Sequence, residues 1–438
     1  MFTEGDREIM NLEWSATIAN CTRSTKLFEK FDIETYDLEC KKFHSLPPED
    51  KAKYKGGDDF ISKSGGSLPL PLNRNYMRLI DEVNARLKSS KLPERLPIDP
   101  LMQTDSIQDL LSSLENENYI KEIYKLKKVK VQNGLNTTEA INLMECIRQG
   151  RSLLLAGAHA EMLAKPLIDF YAACAYAYAI IVINSPLHKS ISTLKGSHGH
   201  TYNHTSGTID FGGEIPSGTF LDLLCALPVA QICNYNINLK YSLLPSIDLV
   251  QNNSIKLSLP ALLSMVPELN DYYTQFDKEH TLIHKLSIDT GSVNASFTYN
   301  FYIGDGINRP QKEKIEAVFG TNRISENQGS YKVSVSSEQI TSIMPCIYQD
   351  LKGQLWYVES PIDGLVLPEL CLRFLIISAL CNIMRYSPHE WSNILTNRIS
   401  SQYSLLVSKY LRLFETKFPI LVTEQITEFV PDLGGRYS

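Results

Sequence analysis

The chain carries none of the short signatures that announce common chemistries. It has no Walker A loop and no GxGxxG after a strand, so the usual phosphate cradles are not expected. It has no HExxH, no GxSxG and no zinc-type spacing of Cys and His, which removes the commonest metalloprotease, α/β-hydrolase and zinc-finger readings. The nine cysteines are scattered and none forms a CxxC pair. Several, including Cys146, Cys174, Cys225, Cys371 and Cys381, lie in apolar helical runs. Reduced, buried thiols and a cytoplasmic location are therefore expected. An excess of positive charge is missing too. With 43 Lys and Arg against 49 Asp and Glu, the formal net charge is −6. That disfavours extensive binding to duplex phosphates and leaves room only for a local basic groove. The opening MFTEGDREIM lacks the basic region and apolar run of a signal peptide. The longest apolar run, Leu167 to Ile183, contains Asp169 and three tyrosines and only just reaches the minimum for a membrane span, which wants ~20 apolar residues. It is expected as a core helix, with no membrane partner. No cofactor is expected.

What the chain does have is ample apolar content, 43% over 438 residues. The densest apolar run of its second half is Leu365 to Trp391. Its few internal polar residues are Glu369, Arg373, Ser378 and Asn382. Glu369 and Arg373 stand at i,i+4 and can pair on one helix face. The rest is apolar nearly all round, which predicts a helix buried on most sides, against which the other long helices pack. It should stop at Arg385-Tyr386-Ser387-Pro388, because the residue before a proline disfavours helix. Trp391 then anchors the next element.

Taken in order, residues 9–31 show helical spacing around Trp14. A Pro/Gly-punctuated stretch follows, with 68–72 extended and a helix at 75–88. A further helix running to Glu115 is expected to be capped by Asp105 or Ser106. Lys121 to Val131 is basic, with Lys125, Lys127, Lys128 and Lys130 on a short piece. It reads either as a solvated strand or helix face, or as an anion or RNA contact. A helix over 138–164 starts at Thr137-Thr138-Glu139 and carries Ile141, Met144, Ile147, Leu153, Leu154 and Leu155. Pro166 opens the next helix, which packs Phe170, Tyr171, Tyr176 and Tyr178 among alanines. From 190 to 360 glycines punctuate short elements. A helix is expected at 219–231, strands at 293–303, 331–335 and 354–358, and a helix from Pro310 to Phe319. Helices resume at 367–385 and 400–416, with a short segment after Pro419. The expected fold is mainly α (α+β): a central helical bundle of 138–183, 366–386 and 400–416 with an inserted α+β segment. The expected divisions are an N-terminal helical and loop-rich region (1–135), a first helical core segment (136–190), an inserted α+β region (191–360) and a C-terminal helical core segment (361–438).

Three groups of residues are candidates for chemistry. His198, His200 and His204 lie close together in GSHGHTYNH. They read as a transition-metal site, as a ligand-binding loop with His198, Gly199 and His200, or as a structural loop whose imidazoles cap backbone groups. His280 and His284 would share a helix face as a metal pair if EHTLIH is helical. Arg385 and His389 fall in RYSPHEW. Ribonucleases of the HEPN class use an Arg and a His at a helix end. Here only three residues intervene, one of them Pro388, which turns the chain. The competing reading has Arg385 meeting the negative end of the helix dipole.

Three blocks resemble the YaaC-like family of bacterial proteins. The first is the helix around Trp14. The second runs from Arg151 through Lys165-Pro166-Leu167 and Phe170-Tyr171-Ala172 to His198-Gly199, with Ile209 to Leu223 downstream. The third is Leu375 to Trp391, with Ser378, Ile383, Arg385-Tyr386 and Trp391, joined by Phe414 to Ile420. Segments 40–135 and 240–350 stand apart from it. The resemblance implies bacterial origin and a soluble helical protein, and it supplies no reaction. Family members are basic after His-Gly, whereas this chain reads His200-Thr201-Tyr202-Asn203. Three functions remain open. The first is a non-catalytic binding or assembly subunit, with a protein partner or a second copy, in a bacterial defence or stress system. The second is a HEPN-like ribonuclease using Arg385 and His389. The third is a sensor of a nucleotide or other small ligand.

Overall fold

A computed structural model describes residues 94–98, 102–127, 134–185, 188, 190–194, 196–211, 218–227, 229–232, 237–240, 249–250, 255–276, 281–293, 296–304, 310–319, 324–327, 329–336, 346–427 and 429–432. The chain divides into two units, Met1–Ser89 and Ser90–Ser438, and all described residues belong to the second. The helices expected at 9–31 and 75–88, the extended 68–72 and the basic residues Lys128 and Lys130 lie outside them.

In chain order the described elements begin with β1 (Glu94–Pro97), α1 (Gln103–Ser113), α2 (Glu117–Lys127), α3 (Thr137–Ala158) and α4 (Lys165–Asn184). Shorter pieces follow: β2 (Thr201–Asn203), β3 (Thr208–Asp210), α5 (Thr219–Ala226), β4 (Val229–Ile232), β5 (Ile237–Lys240), β6 (Lys256–Ser258), α6 (Leu259–Leu263) and α7 (Asn270–Phe276). Then come β7 (Ile283–Val293), β8 (Ser296–Ile303), α8 (Lys312–Phe319), β9 (Ile324–Asn327), β10 (Ser330–Ser336), β11 (Ile347–Gln349) and β12 (Leu355–Val358). The chain returns to helix in α9 (Glu369–Tyr386), α10 (Pro388–Leu395) and α11 (Ser401–Ile426) and ends in β13 (Phe429–Asp432). The protein is mainly α, of α+β type.

Local chemistry accounts for most boundaries. Asn136 caps α3: its Oδ1 accepts from the Glu139 N–H at 2.9 Å, and the Glu139 carboxylate accepts from the Asn136 N–H at 3.1 Å. This reciprocal pair satisfies two donors that the helix itself cannot. α1 has no such cap, and neither Asp105 nor Ser106 serves as one. Pro166 sits in the first turn of α4, where its missing N–H costs nothing. α5 stops at Ala226 instead of reaching 231. Pro228 disfavours helix at Leu227, and Val229–Ile232 pairs antiparallel with β5. α11 runs ten residues beyond the expected stop, to Ile426, with Pro419 inside it. Phe414, Phe418, Ile420 and Val422 are all buried, and their packing outweighs the one backbone bond that the proline removes.

The basic piece is helical as far as Lys127. Ile120, Ile123 and Tyr124 face inward, Lys121 pairs with Glu117, and Lys127 Nζ donates to the Gln425 carbonyl at 3.2 Å. On α3 the buried stripe is Ala140, Leu143, Ile147, Gly150, Leu154 and Gly157. Ile141 and Leu155, and Tyr171 on α4, are exposed instead. The six-stranded sheet is antiparallel in the order β11-β12-β7-β8-β10-β9. β2-β3-β6 form a smaller antiparallel sheet, β4 and β5 a hairpin, and β1 pairs with β13 in parallel.

Two helices share the centre. α4 touches α2, α3, α5, α9 and α11, while α9 touches α4, α5, α6, α10 and α11. Among the described residues α4 is the one helix long and apolar enough to cross a membrane, yet 78% of that stretch is buried inside the fold. Close approach to α3 depends on Gly150, because a Cβ there would lie 2.8 Å from the Tyr176 ring.

A polar knot crosses this apolar centre. Arg373 on α9 has no exposed surface. Its Nε donates to Glu369 Oε1 at 2.9 Å and its Nη2 to Glu268 Oε2 at 2.7 Å. Lys417 of α11 adds a contact to Glu369 Oε2 at 3.5 Å and donates to the Gln349 carbonyl. The Tyr410 hydroxyl donates to the Arg373 carbonyl at 2.9 Å. Burial works against the guanidinium's charge, but Glu268 and Glu369 more than compensate and raise its pKa.

Two outcomes follow in denaturant unfolding. Arg373→Ala strands two buried carboxylates and should cost about 3–5 kcal/mol. Gly150→Ala, which in an open helix would stabilise by about 0.5–1 kcal/mol, should instead lower stability by overpacking against Tyr176.

Candidate functional site

The candidate residues gather at one corner, where the 196–211 loop meets the end of α9. Two glycines make the corner possible. Gly199 (φ 78°) and Gly218 (φ 154°) cross so closely that a Cβ on Gly218 would lie 2.4 Å from the Gly199 nitrogen and 2.6 Å from the Ser197 oxygen. The crossing lets the first N–H groups of α5 reach the loop: Thr219 N–H donates to Ser197 O at 2.9 Å and Phe220 N–H to His198 O at 3.1 Å. Beyond it the β2–β3 hairpin turns on Asn203, whose Oδ1 accepts from the Thr205 and Ser206 N–H groups.

His200 fastens this loop to α9. Its Nδ1 lies 3.1 Å from the His198 carbonyl, so that nitrogen carries the proton. Nε2 is then the acceptor, 2.7 Å from Ser378 Oγ. Phe211, Phe220 and Phe374 surround the ring at centroid distances of 6.2, 5.9 and 6.0 Å. Burial, with His198 adding to it, pushes the His200 pKa down to about 4.

A serine hydroxyl on an imidazole whose other nitrogen is held by a carbonyl has the connectivity of an activated nucleophile. Two facts deny it that role. Ser378 is 1% exposed, and an imidazole that protonates near pH 4 is a weak base at neutral pH. The Ser378–His200 bond is a fastener.

The other two histidines face elsewhere. The His198 ring packs edge-on against Phe170 at 5.0 Å, and its buried Nδ1 has no hydrogen-bond partner. Burial and the nearby Arg385 charge lower its pKa, so it is a neutral imidazole at neutral pH. His204 is exposed; its Nδ1 lies 2.9 Å from Ser387 Oγ, and its ring stands edge-on to Tyr202 at 5.1 Å. His198 and His200 are ring neighbours at 6.4 Å, but each ring nitrogen that has a partner takes a different one. No group of three or more His, Cys, Asp or Glu suited to a metal occurs among the described residues. His284 lies in strand β7, 3.6 Å from Glu359, so the helical pairing with His280 does not form. His280 itself is outside the described residues.

Arg385 ends α9. It is exposed, its guanidinium lies 4.9 Å over the Tyr386 ring, and its charge opposes the rise that burial causes in the Cys381 thiol pKa. No carboxylate pairs with it among the described residues. The chain then bends by 115° into α10, where exposed His389 lies 3.3 Å from Asn393 Nδ2. Arg385 and His389 therefore stand on different helices. Trp391 is buried as expected, and its Nε1 donates to the Leu163 carbonyl at 3.2 Å.

The sequence marks Ser378 and Asn382 as polar exceptions on α9, and Ser378 also as part of the family resemblance, without giving either a partner. Both are partners here, since Asn382 Nδ2 donates to the Ser378 carbonyl at 2.8 Å. It assigns no part in the corner to Tyr202, Tyr386 or Ser387. The signals for Ser378 are its polarity inside an apolar run and its place in the family resemblance.

The corner defines a class: a helical α+β protein that displays an arginine with no carboxylate partner among the described residues, a neutral histidine and an exposed tyrosine. The family model described as YaaC-like Protein matches residues 108–426, and the chain belongs to that family. The match takes in 240–350 and begins after the block around Trp14. No curated protein and no solved structure matches the chain.

Protonating His200 requires charging a half-buried ring among three phenylalanines, so its contribution to stability is full above about pH 6.5 and is lost as pH falls through about 4. Acid titrations of stability should show wild type losing its advantage over His200→Gln between those values.

Proposed function

We propose that this protein works by binding rather than by catalysis, and that its recognition face is the Arg385 corner, which takes an anionic ligand bearing a flat ring, of the nucleotide kind. The observation that carries this reading is the exposed Arg385 guanidinium, which has no carboxylate partner among the described residues. It lies over the ring of Tyr386, which is 61% exposed, and acts on half-buried His198. Arg385 supplies charge, Tyr386 a stacking surface, and His198 a neutral polar edge.

The ribonuclease reading rests on Arg385 and His389 both being exposed next to one bend. Against it, Arg385 and His389 stand on different helices either side of a 115° bend, and His389 is engaged with Asn393 on its own helix.

Calorimetric titration with ATP should show salt-sensitive binding that weakens about tenfold or more in Arg385→Ala. RNA incubated with wild type should remain intact. RNA cleavage by wild type, lost in both Arg385→Ala and His389→Ala at unchanged melting temperature, would make the corner an active site instead.

A further inference from the structure

We infer that Asp169, with Lys165 and Glu415, forms a buried proton-binding site that latches the start of α4 to α11 and to the end of α3. Asp169 has no exposed surface and Lys165 is 3% exposed. Lys165 Nζ donates to the Gly157 carbonyl at 2.7 Å and pairs with Glu415. It stays 3.9 Å from Asp169 Oδ2, beyond hydrogen-bond reach. Both Asp169 carboxylate oxygens are buried without a donor.

Charge counting then favours a proton. One ammonium faces two carboxylates and is taken by partly exposed Glu415, so an ionised Asp169 is left as an uncompensated negative charge away from water, which is costly. The surroundings add to that cost. Asp169 Oδ1 presses on the end of α3, only 2.3 Å from where a Cβ on Gly157 would stand, and a helix C-terminus repels anions. From α11 the cluster meets Glu415, exposed Arg412, which acts on Lys165, and the Tyr410 hydroxyl, which feels Asp169. From α3 it meets the Gly157 carbonyl, and from α4 itself Lys165. A proton taken from solvent onto Asp169 removes the excess charge and creates the missing donor. In agreement, burial raises the Asp169 pKa to about 7, Lys165 opposing.

The latch is placed to influence its surroundings. Asp169 precedes Phe170, whose ring packs on His198 and on Phe374, and the Leu163 carbonyl just before α4 holds Trp391. The inference does not depend on what the corner binds.

The folded-state pKa lies above the ordinary 3.8, so the folded state holds this proton more tightly than the unfolded chain. Stability from Asp169 is full at low pH and is lost as pH rises toward about 7. Denaturant unfolding of wild type and Asp169→Asn should be measured from pH 5 to pH 9. The ratio of their unfolding constants should grow about tenfold per pH unit up to about pH 7 and then level off. A ratio flat across that range would overturn the inference. Carbon-13 NMR of wild type with labelled aspartate provides a second test that needs no variant. One Asp carboxyl should titrate near neutral pH, and finding every Asp carboxyl titrating below about pH 5 would equally overturn it.

Discussion

A guanidinium sealed inside an apolar helix is the constraint around which this protein is arranged. Arg373 lies in the middle of the α9 run Leu370 to Ile377, which is buried at every position. It holds its charge only because Glu369 is one turn away and Glu268 arrives from another part of the chain. Taking such groups from water costs several kcal/mol per ion, and only near-complete pairing repays it. The pairing is thus a demand on geometry. The short helical turn Pro267–Leu269, which packs on α11, must bring Glu268 to Arg373, and α11 must bring Lys417 and Tyr410 to the same place. One charge thereby ties the α+β segment to two of the long helices.

α11 carries this polar thread along its length. Tyr403, Tyr410, Lys417 and Glu424 recur every seven residues and therefore share one helix face. Tyr403 lies near Tyr202 and Glu390 at the corner end. Tyr410 senses both Asp169 and the Arg373 knot. At the far end, burial pushes the Glu424 pKa up to about 7, Lys417 opposing and Glu369 adding to the shift. A helix of this length could be an apolar rod. Instead it places ionisable groups where each must find a partner, a device that fixes register at some cost in stability.

The corner depends on that fixed register. Ser378 can meet His200 only if α9 is held at the correct height, and Arg385 reaches the edge of the fold from the same helix. The glycine crossing at 199 and 218 then sets the loop against it, leaving a cation with no carboxylate partner among the described residues beside a neutral imidazole.

The sequence by itself determined much of this. It specified the mainly helical α+β class, the buried α9 with its Glu369–Arg373 pair, the stop before Pro388, the proline-led start of α4 and the anchor at Trp391. It also carried the family resemblance. These features are local: a period of 3.6, an i,i+4 pair and a proline restriction are written in neighbouring residues. Tertiary structure alone decided the rest. It carried α11 through Pro419, because buried neighbours outweighed one lost backbone bond. It placed His284 in a strand, because β7 finds ladder partners in β8 and β12 far along the chain. It also joined Glu268 to Arg373, His200 to Ser378 and Lys165 to Glu415, pairs 105, 178 and 250 residues apart. No periodicity encodes such meetings, since they exist only after the chain has folded back and buried charge has been forced to find its complement.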